Sequence, residues 1–83
     1  MKLKYVAWLR ESVGCDGEEI VLPAGVRTVG TLLDWLPTRS ERLRSAFEYS
    51  DILLVSVNRQ HAGRDHPLRD EDEVILAPPI AGG

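Results

Sequence analysis

The sequence predicts an α+β domain in which one main helix lies across one face of a mixed β-sheet. Two stretches near the start and two near the end are rich in strand-forming residues, and most of them alternate in polarity. Between the two pairs, apolar residues recur at helical spacing after Thr28. The strand that follows a crossover helix tends to lie parallel to one before it, so we expect both parallel and antiparallel neighbours.

Length and composition indicate a single domain over residues 1–77, followed by a tail over residues 78–83. The chain has 83 residues, of which 43% are hydrophobic and 28% charged. Domains above roughly 55 residues often fold without disulfide bonds or bound metal ions. A net charge of −3 without a basic stripe argues against a nucleic-acid partner. No apolar run approaches the roughly 18 residues of a membrane span, and no signal-peptide pattern is present. We therefore expect a soluble, cytoplasmic protein without a membrane partner.

The first two strands are expected to pair as an antiparallel hairpin. Alternation over residues 2–9 predicts the first strand, with one face formed by Leu3, Tyr5, Ala7 and Leu9. Residues 14–17 are rich in glycine and predict a turn. The second strand is predicted over residues 19–22, with Ile20 and Leu22 on one side.

Two helices are expected in the middle of the chain. Thr28 is a candidate N-cap for the main helix, and an apolar stripe follows at Val29, Leu32, Leu33 and Leu36. Pro37 is expected to end this helix. Ser40 is a candidate cap for a shorter second helix, whose inward face is formed by Leu43, Ala46 and Phe47.

The last part of the chain predicts two more strands. Residues 52–58 are almost continuously apolar, which favours a central strand covered at least partly on both sides. Residues 58–67 are expected to be a polar connection, after which Leu68 enters the core and residues 70–73 turn the chain. In the final strand, Val74 and Leu76 should face the core, with Ile75 and Ala77 on the opposite face. This topology is the β-grasp roll of ubiquitin, with about four to five strands.

No residue cluster indicates catalysis or metal binding by the chain alone. Cys15 has no second cysteine or nearby histidine in the sequence, and His61 and His66 stand in a polar stretch without ligand spacing. Motifs of nucleotide-binding loops, zinc proteases and serine hydrolases are absent from the sequence. We expect a chain that binds no metal and no cofactor of its own.

The C-terminal sequence PPIAGG is the candidate functional segment. Pro78 and Pro79 form a stiff polyproline-like stretch that ends the sheet ladder. The remaining residues, Ile80, Ala81, Gly82 and Gly83, extend over about 13 Å at ~3.3 to 3.6 Å per residue. Ile80 is expected to anchor at the mouth of a narrow channel in another protein. The small residues beyond it permit close backbone approach, which brings the carboxylate of Gly83 deepest.

This carboxylate needs activation before it can react. With a pKa of about 3.3 to 3.7 it is ionised at neutral pH and is a poor electrophile. Adenylation by ATP would make it reactive. A sulfur nucleophile would then leave a thiocarboxylate at Gly83, whereas a lysine amine would give an isopeptide bond. Besides a sulfur carrier and a lysine-linked modifier, the residues leave a third alternative open. In it the domain is a passive interaction module whose C-terminal end takes part in no reaction.

The chain resembles the small subunits of molybdopterin synthase, a family of ubiquitin-like sulfur carriers, from end to end. The resemblance lies in YVAWLRESVG, LPAGVRTVGTLLDWL, LLVSVN and DHPLRDEDEVILAPPIAGG. It implies that a partner similar to ubiquitin-activating enzymes uses ATP to adenylate Gly83, which then becomes a thiocarboxylate. Sulfur would be delivered inside the large synthase subunit to a cyclic pyranopterin precursor. The resemblance further implies a heterotetramer of two large subunits with one carrier at each end.

Ile75 and Ala77, on the outward face of the last strand, are the predicted docking residues for the large subunit. The chain departs from the family pattern at Glu71, where relatives commonly have Gly, and near Ala77, where they have a bulky aromatic residue. Sulfur carriers for thiamine or cysteine synthesis share the fold and the Gly-Gly end, as do protein modifiers. These pathways remain alternatives at this point.

Overall fold

The structure is a computed structural model that describes residues 1–48 and 53–78. Within these residues it contains five strands, three α-helices and one 3₁₀ turn. In chain order these are β1 (Lys2–Tyr5), α1 (Ala7–Val13), β2 (Gly17–Glu19), α2 (Val29–Trp35), the 3₁₀ turn (Leu36–Thr38), α3 (Glu41–Glu48), β3 (Leu54–Val57), β4 (Gln60–His61) and β5 (Glu73–Ala77). The predicted α+β class, a β-grasp, is confirmed.

The strands form one mixed sheet in the order β2-β1-β5-β3-β4. The central strand β5 runs parallel to β1 and antiparallel to β3, while β1–β2 and β3–β4 are antiparallel pairs. The prediction of parallel and antiparallel neighbours is therefore confirmed. The central strand is also the last strand of the described residues, so the chain reaches Pro78 from the middle of the sheet.

The core lies between one face of this sheet and the helices. Strand alternation places Leu3, Val55, Val57, Val74 and Leu76 on the same buried face. The helices contribute further buried side chains to this cluster, among them Leu9, Val13, Val29, Leu32, Leu43 and Ala46. Met1, Leu68 and other residues from the connections complete it.

The first strand is shorter than predicted, because residues 7–13 form helix α1. Leu9 and Val13, four residues apart, are its buried positions, and one face of a helix is built by that spacing. Gly14 ends the helix with φ 93° and donates its N–H to the carbonyl of Arg10, the left-handed cap that glycine adopts without strain. A strand over residues 6–9 was thus a wrong prediction.

The second strand also begins earlier than predicted, at Gly17 instead of residue 19. Its antiparallel pairing with β1 is confirmed, with Lys2 opposite Glu19 and Lys4 opposite Gly17. A helix connects the two strands, so they do not form the predicted hairpin with a tight turn. Residues 20–22 lie beyond the strand, although Ile20 is buried.

The two predicted helices are confirmed, and α1 adds a third to the number expected. Thr28 caps α2, with a reciprocal capping box between Thr28 and Thr31. The α-helix ends at Trp35, and Pro37 lies in the following 3₁₀ turn. At α3, the Ser40 hydroxyl accepts a hydrogen bond from Leu43 N–H at 3.1 Å, as a cap does.

Strand β3 is not the central strand, and one of its faces is open. It lies between β5 and β4, and Leu54 remains 39% exposed. The predicted central position was wrong, because β5 occupies it. The predicted coverage is found in part: Val55 and Val57 are buried on one face, whereas Ser56 is partly buried and Leu54 is exposed on the other. Ile52, in the predicted strand, lies outside the described residues.

The predicted polar connection contains strand β4. Asn58 and Arg59 form the turn that leads into it, with φ 51° and 71°, and positive φ at both central residues is typical of a two-residue hairpin turn. The Asn58 side chain also accepts from Glu73 N–H at 3.0 Å and donates to Asp72 at 2.9 Å. In the turn before β5, Glu71 does not have a positive φ. The turn at residues 70–73 therefore does not require the glycine that relatives commonly have at this position.

Candidate functional site

The root of the predicted functional tail lies at the end of the central strand. Ala77 ends β5 and pairs with Leu54 of β3. The backbone N–H of Val6 donates to the carbonyl of Leu76 at 3.2 Å from the other side. Pro78, the first of the predicted tail residues, is buried. The tail therefore starts from a backbone position that is hydrogen-bonded to neighbouring chain on both sides.

The rest of the predicted tail site lies outside the described residues: Pro79, Ile80, Ala81, Gly82 and Gly83. Threading of this segment and chemistry at Gly83 therefore stay predictions.

The docking residues predicted from sequence have the expected orientation. Val74 and Leu76 are fully buried, while Ile75 and Ala77 are partly exposed on the opposite face of the sheet. We call this opposite face, which points away from the helices, the outer face. The register shows which residues it brings together, because directly opposite side chains on neighbouring strands point to the same side.

One register row crosses the whole outer face from edge to edge. In order from β2 to β4 it consists of Gly17, Lys4, Ile75, Ser56 and His61. We call it the middle row. It places Lys4 next to Ile75 on one side, and Ser56 followed by His61 on the other.

Two further rows flank the middle row, and they differ in polarity. The tail-side row contains Ala77 and Leu54, with Val6 continuing it beyond β1 in extended conformation. The far row contains Glu19, Lys2 and Glu73. The outer face is thus apolar beside the tail and charged at the other end. The tail-side row is therefore the apolar part of the outer face.

Sequence reasoning missed several residues of this face. Leu54 and Ser56 lay in a run interpreted as covered at least partly on both sides, although their alternation with Val55 and Val57 was the signal for an exposed face. His61 was assigned to a connection, and its place opposite Ser56 depends on the Asn58–Arg59 turn. Trp8, 39% exposed, lies in the first turn of α1, which begins beside the end of β5.

A hydrogen-bonded network on another side of the domain holds β2 against the 3₁₀ turn. The Tyr5 hydroxyl donates to Glu18 at 2.9 Å, and Glu18 forms an ion pair with Arg39 at 2.9 Å. The Arg39 guanidinium also lies over the Trp35 ring, 5.1 Å from its centroid. Burial, and then the hydrogen bond and negative charge of Glu18, raise the pKa of Tyr5. These residues support the β2 edge of the sheet.

The isolated cysteine and histidines have no metal-site environment. Cys15 is exposed on the connection between α1 and β2. In residues 1–48 and 53–78, no three His, Cys, Asp or Glu side chains are grouped as they would be around a metal ion. None of the helices in this part of the chain has the length and apolar content that crossing a membrane requires.

A mixed sheet of this order, with helices on one face and a strand that leads into a terminal Gly-Gly, defines a ubiquitin-like β-grasp protein. The ThiS family matches residues 3–83. The chain belongs to this family.

Curated relatives span the whole chain. The molybdopterin synthase sulfur carrier subunit of Escherichia coli (strain K12) is 39% identical over 83 residues, covering 100% of this chain and 99% of the relative. The protein of the same name from Dictyostelium discoideum is 30% identical, covering 99% of this chain and 94% of the relative.

Solved structures show the same fold. The putative molybdopterin converting factor, subunit 1, from Pyrococcus furiosus has a TM-score of 0.75 at 33% identity, covering 95% of each chain. Small archaeal modifier protein 1 of Haloferax volcanii has a TM-score of 0.74 at 27% identity, covering 96% of this chain and 97% of its own.

Proposed function

We propose that this chain is the sulfur-carrier subunit of a molybdopterin synthase. The observation that carries the proposal is the full-length similarity to sulfur carrier subunits, which extends through the Gly-Gly end. The proposal is supported by the hydrogen-bonded end of the central strand, from which the tail begins. A tail that must position a reacting group benefits from starting at a fixed backbone position.

The reacting group is the carboxylate of Gly83. A partner similar to ubiquitin-activating enzymes transfers AMP from ATP to this carboxylate, with release of pyrophosphate. A sulfur nucleophile then displaces AMP and leaves a thiocarboxylate. The carrier holds no catalytic side chains and no cofactor of its own in this scheme. It is a substrate of the activating enzyme and afterwards the sulfur donor in the synthase.

The second partner is the large subunit of the synthase. It binds the tail-side row of the outer face, which includes Ala77, and the neighbouring Ile75. Its channel takes up residues 79–83. Pro78 and Pro79 direct the tail, Ile80 fills the channel mouth, and Ala81 and Gly82 allow the narrow passage. Sulfur passes from Gly83 to a cyclic pyranopterin precursor in the large subunit. The expected assembly is a heterotetramer with one carrier on each large subunit.

Intact-mass measurement of the protein purified from its own cells tests this function directly. The proposal predicts a fraction in which sulfur replaces one oxygen of the terminal carboxylate, and no such fraction in a variant lacking Gly83. Covalent attachment of the chain to lysines of other proteins, without the thiocarboxylate, would identify a modifier instead. A mass that always corresponds to the free carboxylate would contradict both functions.

A further inference from the structure

The large apolar side chains that this domain leaves exposed are unevenly placed. In the part of the chain that the structure describes there are three: Trp8 and Leu54 at 39% exposure, and Val21 at 85%. Leu54 pairs with Ala77 at the end of β5. Trp8 follows two residues after Val6, which is hydrogen-bonded to the opposite side of β5. Two of the three therefore flank the end of the central strand.

The residues around the end of β5 form one apolar surface. Val6 is extended and continues the row of Ala77, and Ala7 and Trp8 follow it directly. We call Val6, Ala7, Trp8, Leu54 and Ala77 the tail-root patch. These side chains carry no charge, and the indole N–H of Trp8 is their one polar group. Single exposed apolar residues are common on protein surfaces, whereas a contiguous apolar patch indicates an interaction site.

The backbone before Trp8 is in an unfavourable conformation. Ala7 has φ 56°, in the left-handed region that strains a residue with a Cβ. It is the point at which extended Val6 changes into helix α1, whose buried positions are Leu9 and Val13. Trp8 thereby stays at the surface beside the end of β5. Strain of this kind persists where the surrounding structure enforces it, and it is frequent at binding sites.

We propose that Trp8 is the main anchor through which the large subunit binds this carrier. The inference rests on the proposed function, because it takes the large subunit as the partner. A subunit that takes up residues 79–83 approaches over the end of β5, where the tail-root patch lies. Trp8 has the one aromatic ring of this patch. Tryptophan is enriched among the few residues that carry most of the binding energy of an interface, because its ring fills a pocket of the partner with a large apolar area.

Fluorine NMR of the carrier labelled with 5-fluorotryptophan tests whether the large subunit covers Trp8. The chain has two tryptophans, Trp8 and Trp35, and the variants Trp8→Phe and Trp35→Phe assign their two resonances. Trp35 is the internal control, because it ends α2 and stacks against Arg39, which is paired with Glu18 of β2. With saturating unlabelled large subunit, both lines broaden as the complex tumbles more slowly. We expect only the Trp8 resonance to change its chemical shift.

Calorimetric titration with the large subunit measures how much affinity Trp8 contributes. Trp8→Ala should weaken binding by about tenfold or more, as loss of an aromatic anchor does, and Trp8→Phe, which keeps a ring, by less. Val21→Ala is the matched control. It shortens an exposed apolar side chain on the connection after β2, and the Kd should change by less than about twofold. Circular dichroism melts verify the fold of each variant. If Trp8→Ala does not fold, Trp8→Phe and the fluorine spectra of the wild-type sequence decide.

An unchanged Trp8 resonance in a complex verified by calorimetry would overturn this inference and leave the proposed function standing. Binding of a folded Trp8→Ala variant within about twofold of wild type would do the same. A Trp8 resonance that shifts with carrier concentration alone would assign the patch to a second copy of this chain. One that shifts only with the activating enzyme would assign it to that partner, and either result would overturn the assignment to the large subunit. If the wild-type carrier does not bind the large subunit, the proposed function fails together with the inference.

Discussion

Val6 donates its backbone N–H to the carbonyl oxygen of Leu76 over 3.2 Å. This bond extends the parallel pairing of β1 and β5 to the residue just before helix α1 begins. On the other side of β5, Ala77 pairs with Leu54. The last residues of the central strand are therefore held from both sides.

The register of β5 predicts opposite effects for neighbouring substitutions. Val74 is fully buried, so Val74→Asp places a carboxylate in the core and should unfold the domain, since burial of an unpaired charge exceeds what a small domain tolerates. Ile75→Asp lies on the outer face and should leave the domain folded. Its expected effect is weaker binding to the large subunit, by about tenfold or more if the site is buried on docking.

Circular dichroism melts and calorimetric titration with the large subunit measure these two effects. Ile75→Ser, a smaller neutral change at the same position, is the control for loss of apolar contact without added charge. Unfolding by Ile75→Asp as severe as that by Val74→Asp would show that the register of the strand is shifted by one residue.

A glycine in β2 is required by close packing against β1. A Cβ at Gly17 would lie 2.3 Å from the backbone carbonyl oxygen of Leu3, which neither strand can avoid without separating. Gly17→Ala should therefore lower the free energy of unfolding by about 1 to 3 kcal/mol, the usual cost of overpacking. Urea denaturation at neutral pH measures it.

Gly63→Ala is the matched control for this change. A Cβ at Gly63 meets no atom within 4 Å, and the free energy of unfolding should change by less than about 0.5 kcal/mol. If Gly17→Ala lowered the free energy of unfolding as little as Gly63→Ala, a Cβ at residue 17 would have room. Strand β2 would then not approach β1 as closely as described.

The fold class could be predicted from sequence, but the first connection could not. Residues 3–9 alternate in a way that fits a strand throughout, and the competing helical signal was short: Leu9 and Val13 four residues apart, followed by Gly14. Local pattern alone does not decide between these readings. Burial of Leu9 and Val13 against the same core as α3 favours the helix. The main helix, by contrast, carried both a cap at Thr28 and a full apolar stripe, and it was predicted correctly.

The candidate site was predictable where it depends on alternation within one strand. Ile75 and Ala77 follow from the positions of Val74 and Leu76. The remainder of the outer face depends on which strands are neighbours, and no single strand encodes that. Lys4, Ser56 and His61 share a row with Ile75 because β5 lies between β1 and β3 and because Asn58 and Arg59 adopt positive φ. An Arg at the second position gave no turn signal of the usual Asn-Gly kind.

The hydrogen bond from Tyr5 to Glu18 predicts a pH-dependent stability. Tyr5→Phe should lower the free energy of unfolding by about 1 to 2 kcal/mol at pH 7, since the acceptor is a charged group. In the folded protein the pKa of Tyr5 is raised, by burial first and by Glu18 second. The wild-type advantage is therefore fully present below about pH 10, the pKa of an unfolded tyrosine, and decreases above it.

Urea titrations of both proteins between neutral and strongly alkaline pH measure this difference. The gap between wild type and Tyr5→Phe should narrow only on the alkaline side. A gap that stays constant as the pH rises well above 10 would show that the Tyr5 hydroxyl ionises equally in the folded and unfolded states.

Thiocarboxylate yield in tail variants, measured with the activating enzyme, ATP and a sulfur donor, tests the carrier function most directly. Deletion of Gly83 withdraws the terminal carbon by roughly 3.3 to 3.6 Å, whereas a misplacement near 1 Å already costs on the order of 10²-fold. We predict no thiocarboxylate for this variant or for one extended by a residue, and a reduced rate for Gly82→Ala, with thermal unfolding unchanged in all three. Normal sulfur transfer to the shortened or extended chain would contradict the account of PPIAGG as a tail that works by its length.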